Sequence, residues 1–286
     1  MNKVIAFLLS ISLAFSFTAC QAPAASGSAS SVSSTSASQQ AHQTTDPSGA
    51  NGEIALWNRS TLLCCSTAAG PAFEGAGLTI GMPGRDGAVD HVMVKNGALH
   101  AHVLGDTEAV GICGSGVVDA LACLLETGQM DETGFLDPEP AVICGRVALP
   151  QKDVRAVQLG KSAVAAGIRT LTTTAGLTFS QVDELAIAGG FGSYLDVNNA
   201  GRIGLIPEEL VPKVRILGNA ALQGASMLLL DQPKIPDCEA MTRQARTVDL
   251  ASNPLFLQAY TDGMFFECDD LPATACRAYF TWSTSR

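Results

Sequence analysis

The chain has 286 residues with a formal net charge of −10, from 17 Lys and Arg against 27 Asp and Glu. With no basic clusters, that balance argues against nucleic acid as a partner and against attraction to anionic lipid. The length allows one large domain or two small ones, and a buried core of ordinary size.

In chain order, the first feature is a leader. Met1-Asn2-Lys3 is short and basic, Val4 to Phe17 is apolar, and Phe17-Thr18-Ala19-Cys20 ends in a small-residue cleavage motif with cysteine. About fourteen apolar residues are too few to span a bilayer, so the pattern predicts a lipoprotein signal over residues 1–20, lipidated at Cys20. A membrane-anchored lipoprotein is the localisation this implies; a wrongly assigned start would leave the chain cytoplasmic. Residues 21–48, rich in Ser, Ala, Gln and Thr, read as a disordered tether. The remaining eight cysteines point the other way. Cys64-Cys65 end an apolar strand, and Cys113 and Cys123 sit in a Gly loop and a helix, the usage of reduced thiols as small hydrophobes. No Cys/His spacing suggests an iron–sulfur cluster or zinc.

Glu53–Trp57 and Thr61–Cys65 form a predicted hairpin turning at Asn58-Arg59-Ser60, and Phe73–Gly77 is a loop or a short helical turn. Val89–Lys95 and Ala98–Leu104 form a second hairpin around Asn96-Gly97, a strong two-residue turn signal. If that turn has two residues, facing positions place His91 opposite His102 and Met93 opposite His100 on one face. Those imidazoles, His91, His100 and His102, could hold Zn²⁺ or Cu²⁺; the other reading is a solvated face that tolerates histidine.

The loop Gly111-Ile112-Cys113-Gly114-Ser115-Gly116 opens a helix carrying Val117, Val118, Leu121, Leu124 and Leu125 at helical spacing, ended by Gly128. Its free N–H groups at Gly114, Ser115 and Gly116 suit an anion; a packing turn is the alternative. Pro150 introduces a long helix over 151–175 with Val154, Val157, Val164, Ile168 and Leu171 on one face and Gly176 as its cap. Glu184–Ala188 is a short buried strand running into Gly189-Gly190-Phe191-Gly192, where absent Cβ atoms let a nucleotide approach the backbone; a tight strand-to-helix turn is equally available. Val214–Leu217 leads to Gly218-Asn219 and a helix over 220–230. Arg246–Leu250 is a last strand, and Asn253 caps a helix with Pro254 at its first position. Residues 267–286 show no clear periodicity. Strands alternating with helices give a layered α/β domain.

Several stretches taken together carry a resemblance: Asn51-Gly52-Glu53-Ile54, Leu63 to Ala76, Gly111 to Asp119, Gln151 to Arg155, Ala188 to Asp196 and Gly218-Asn219-Ala220-Ala221. Residues 49–266 resemble the C-terminal domain of reductive activators of corrinoid proteins, in the superfamily of acetate kinase, sugar kinases, Hsp70 and actin (ASKHA). The resemblance implies an actin-like, ribonuclease H-like ATPase subdomain, a mixed sheet flanked by helices, with only the second half of the bilobal fold present. It implies ATP or ADP with Mg²⁺ as cofactor and a corrinoid protein as partner. It also implies an electron source in a ferredoxin-type [2Fe–2S] domain that has no counterpart in this sequence.

By the same resemblance Gly189, Gly190, Phe191 and Gly192 form the adenosine turn, with Gly218 and Asn219 before a helix that packs on the opposite subdomain. Asn51, Gly52 and Glu53 continue the second phosphate loop, whose family form begins Asp-Ile-Gly-Thr. Here Pro47-Ser48 stand where Asp-Ile is expected, Ala50 replaces Thr, and Asp46 is one residue out of register. Glu74 and Asp119, each beside a glycine motif, are candidate contacts to phosphate or its metal; capping or solvent-facing roles are the alternative. The implied function is a truncated relative of an ATP-dependent corrinoid activator, without ATPase or electron transfer by itself because phosphate positioning needs both sides of the cleft. A separate chain supplying the missing subdomain would restore it. The alternative is an exported lipoprotein using the domain as a binding or structural module.

Overall fold

The computed structural model describes residues 4–9, for their backbone, and residues 51–266. The signal's cleavage motif with Cys20, the tether at 21–48 and the tail at 267–286 lie outside the described residues. The strands are β1 (Val4–Leu9), β2 (Gly52–Trp57), β3 (Leu62–Thr67), β4 (Ala88–Lys95), β5 (Ala98–Val103), β6 (Gly111–Ile112), β7 (Ala141–Cys144), β8 (Val147–Leu149), β9 (Glu184–Ala188), β10 (Val214–Gly218) and β11 (Ala245–Thr247). The helices are α1 (Gly114–Glu126), α2 (Gln151–Thr174), α3 (Val197–Arg202), α4 (Ala220–Leu230), α5 (Ile235–Arg243) and α6 (Pro254–Asp262).

The main sheet has the order β10-β9-β1-β2-β3-β11. β1 runs parallel to β9 and antiparallel to β2, so the first six residues of the apolar run at 4–17 are a central strand. β2 alternates buried Ile54 and Leu56 with half-buried neighbours, whereas Leu185 to Ala188 of β9 are all buried, as expected of a strand covered on both faces. α2 lies against β2 and β3. The helical spacing identified its buried face: Val154, Val157, Val164, Ile168 and Leu171 are all buried. Two glycines set its distance from the sheet end. A Cβ on Gly167 would stand 2.6 Å from Ile54 and Thr67, and one on Gly160 would stand 2.5 Å from the Ala69 carbonyl.

The second sheet, β5-β4-β6, is covered by α1, which is buried from Gly114 to Leu124 on every face. The Asn96-Gly97 turn sets the expected register, pairing His91 with His102 and Met93 with His100, and the ladder shifts at Val89/His91. The β7–β8 hairpin, α3 and α5 were not expected from the sequence. The last strand is shorter than the 246–250 expected, because Asp249 turns the chain: its carboxylate accepts from the Ala251 N–H and the Ser252 hydroxyl. Asn253 caps α6 as anticipated, accepting from the N–H groups of Leu255 and Phe256.

Cysteines 64, 65, 113, 123, 144 and 238 are free thiols. Burial pushes Cys65 up to about 12 and Cys123 up to about 11, so both stay protonated and serve as packing groups.

Candidate functional site

The ladder pairings place three of the glycine-bearing segments side by side. One row across the main sheet runs Gly218, Ala188, Leu8, Glu53, Ser66. β1, β9 and β10 all run toward this row, and β2 starts from it, so Asn51-Gly52, Gly189-Gly190 and Gly218-Asn219 leave the same end of the sheet. At about 4.8 Å per strand, Gly218 and Glu53 are about 14 Å apart along the row. A crevice outside the carboxyl ends of parallel strands is where open α/β sheets receive ligands.

Each segment is fixed by local chemistry. Gly189 has φ of 106°, a conformation that an L side chain resists, and its N–H donates to the Gly218 carbonyl at 2.8 Å. Gly190 differs: its φ of −63° and ψ of −42° are ordinary helical values, and a Cβ added there meets nothing within 4 Å. Neither backbone conformation nor packing among the described residues requires glycine at 190. Gly192 is a packing glycine, its Cβ position 2.5 Å from Ile187. Asn219 caps α4 by accepting the Leu222 N–H at 3.0 Å. Glu53 accepts the Ser66 hydroxyl at 2.8 Å, and Thr67 donates to the Gly52 carbonyl.

Gly114, Ser115 and Gly116 are buried. A Cβ at Gly114 would fall 1.9 Å from the Phe73 carbonyl oxygen, and one at Gly116 would fall 2.2 Å from that of Val89. Ser115 donates to the Asp90 carbonyl at 2.9 Å. Of the two readings open to this loop, packing accounts for its small residues. The close fit still brings α1 to the sheet end, where the Phe73 ring lies 5.4 Å from that of Phe191. Sequence reading did not single out Phe73 as the partner of Phe191. Glu74, the next residue, is exposed, and its carboxylate makes no hydrogen bond or ion pair among the described residues. Desolvation raises its carboxyl above the ordinary value.

Asp119 lies further along α1, facing β4 and α3. It is buried and fully engaged: Oδ2 meets His91 Nδ1 at 2.9 Å and accepts the Val92 N–H, while Oδ1 accepts from Asn199 at 2.8 Å. Burial pushes its carboxyl up, and the bonds from Asn199 and His91 pull it back. It therefore fastens α3 to β4 rather than capping a helix or facing solvent. A cavity of about 230 Å³ beside it is lined by Met93, Cys123, Glu126, Asp196 and Arg202 among others.

The three histidines do not converge on a metal. His91 turns to Asp119, and His102 turns to Asp90, whose Oδ1 lies 2.5 Å from Nδ1. His100 is exposed on the strand. Among the described residues no group of three or more His, Cys, Asp or Glu side chains could hold a metal ion. The facing register was right; the carboxylate partners reached from α1 and β4 were not visible in the hairpin alone.

Comparison with known proteins agrees with the fold. Residues 45–275 match the family model described as the C-terminal domain of RACo, the ASKHA domain. The chain is 40% identical over 247 residues to the corrinoid activation enzyme RamQ of Eubacterium limosum, covering 76% of this chain and 42% of that one. It is 28% identical over 253 residues to the [Co(II) methylated amine-specific corrinoid protein] reductase of Methanosarcina barkeri, covering 78% and 47%. Among solved structures it is similar to a reductive activator for corrinoid, iron-sulfur protein, with a TM-score of 0.69 and 31% identity over 76% of this chain and 38% of that one. The chain spans less than half the length of the curated relatives it matches.

Proposed function

This chain belongs to the family of the RACo C-terminal ASKHA domain, and on that premise we propose that it forms one wall of a cleft for ATP or ADP with Mg²⁺, in the reductive activation of a corrinoid protein. The observation that carries the reading is Gly190. It lies at the sheet end that three strand-end turns share, in an ordinary backbone conformation, and no described residue packs where its side chain would be, so its lack of a side chain suits a group that rests against it. Adenosine resting against the Gly189-Gly190 turn supplies that reason.

By itself this wall does not turn over ATP. The loop before Gly52 carries Pro47, Ser48 and Ala50 where the family places Asp, Ile and Thr, so the carboxylate that helps hold Mg²⁺ is missing from its register. Phosphoryl transfer needs charge and positioning from both sides of a closed site. α4 is the surface on which an opposing subdomain would seat. It has no buried residue, and Leu222, Met227, Leu229 and Leu230 are 63%, 63%, 74% and 89% exposed. A partner chain bearing that subdomain, together with the corrinoid protein, completes the proposed assembly.

Titration of the full chain with MgADP tests this. Wild type is expected to bind with Kd above about 100 μM, weaker than roughly −5.5 kcal/mol. Gly190→Leu is expected to abolish that binding at an unchanged melting temperature. Equal affinities in the two proteins would remove the adenosine turn, and unaided ATP turnover would remove the half-site.

A second reading, carried by Phe17-Thr18-Ala19-Cys20, keeps the domain as a binding module of a membrane-anchored lipoprotein. Membrane fractionation with a globomycin-sensitive size shift separates it from a cytoplasmic chain that keeps its first residues.

A further inference from the structure

The leader and the fold make competing claims on the same six residues. Val4–Leu9 pairs residue by residue with β2, from Val4 opposite Trp57 to Leu9 opposite Gly52. On its other side it pairs in parallel with β9, from Val4 opposite Glu184 to Leu8 opposite Ala188. Both neighbours belong to the core: Ile54 and Leu56 of β2 and Leu185 to Ala188 of β9 are each 2% exposed or less. Without β1, two strand edges would face each other across about 9.6 Å, two strand spacings, with their N–H and C=O groups unpaired inside the protein.

The sequence near β2 offers no substitute. Ala41-His42-Gln43-Thr44-Thr45-Asp46-Pro47-Ser48 is polar and contains a proline, which a central strand excludes. Val-Ile-Ala-Phe-Leu-Leu, in contrast, is an unbroken apolar run of strand length. The composition that suits a secretion signal suits a strand buried on both faces equally well.

We infer that Val4–Leu9 is the strand on which the main sheet closes, so that cleavage before Cys20 and completion of the sheet are alternative fates of one molecule. A chain that keeps its first residues holds a complete sheet. A chain processed before Cys20 loses that strand and presents an open slot between β2 and β9. The inference rests on the ladder and not on the nucleotide reading, and it stands or falls separately.

Hydrogen exchange on the full, unprocessed chain tests it. In Ala6→Pro, which removes a ladder donor, amides of Gly52–Trp57 and Glu184–Ala188 are expected to exchange at least tenfold faster than in wild type. Ser16→Pro, in the same apolar run but outside the strand, is expected to match wild type. Equal protection of both segments in all three proteins would overturn the inference. Should Ala6→Pro yield no folded chain, a protease site placed between Ser30 and Ser31 of the wild-type sequence decides. After cutting, the N-terminal fragment is expected to stay bound through gel filtration, or to leave with loss of protection in both segments. Departure of the fragment with protection retained would overturn the inference.

Discussion

Lys161 of α2 donates from Nζ to the carbonyl oxygen of Phe265 at 2.6 Å, and to that of Gly263 at 2.7 Å. The side chain is fully buried, with its ammonium 4.6 Å from the centre of the Phe266 ring. It thus fastens the segment after α6 to the long helix. Lys161→Met fills the space but removes the donor that the Gly263 and Phe265 carbonyls share, at a cost of roughly 2 kcal/mol. The expected outcome is a lower urea midpoint with faster exchange in α6. An unchanged midpoint would mean that water replaces the ammonium.

The buried glycines at the start of α1 and the open glycine after β9 should respond oppositely to a methyl group. Gly114→Ala places Cβ 1.9 Å from the Phe73 carbonyl oxygen, a clash with backbone that cannot rotate away. A loss of about 3 kcal/mol or more is expected. Gly190→Ala meets no atom of the described residues within 4 Å and should change stability by less than about 0.5 kcal/mol. Thermal melts of the two variants compare them directly, and similar losses would contradict the packing described for α1.

The Asp90–His102 pair gives a pH signature. The hydrogen bond that the imidazole donates to Asp90, then the charge of Asp90, hold His102 above its ordinary 6.5. The folded state therefore binds this proton more tightly than the unfolded chain does. The pair's contribution to stability is fully present below the unfolded value and is lost as pH rises through the folded pKa. By NMR, His102 is expected to titrate above 6.5 in the wild type and to return toward 6.5 in Asp90→Asn. An imidazole titrating at the same pH in both proteins would show that the pair is not formed in solution.

The sequence settled the features that a few neighbouring residues control. Asn96-Gly97 fixed the register of the β4–β5 hairpin because a two-residue turn leaves one way to pair the strands. Asn253 and Pro254 marked the start of α6, and helical spacing marked the buried face of α2, for similarly local reasons. The glycine motifs after β9 and β10 were legible as turns, whereas Gly114-Ser115-Gly116, read as a loop before the helix, are the first turn of α1 itself; the family resemblance named the segments that leave one sheet end. Which of those glycines is there for packing and which faces open space was not legible, because that depends on atoms brought in from Phe73, Val89 and Ile187. Asp119 finds Asn199 80 residues away, a contact that no spacing within α1 could announce. The placement of Val4–Leu9 between β2 and β9 belongs to the same class. An apolar run has one composition whether it enters a membrane or a sheet. The choice is made by the two strands whose unpaired backbone it satisfies, and they come together only when the chain has folded.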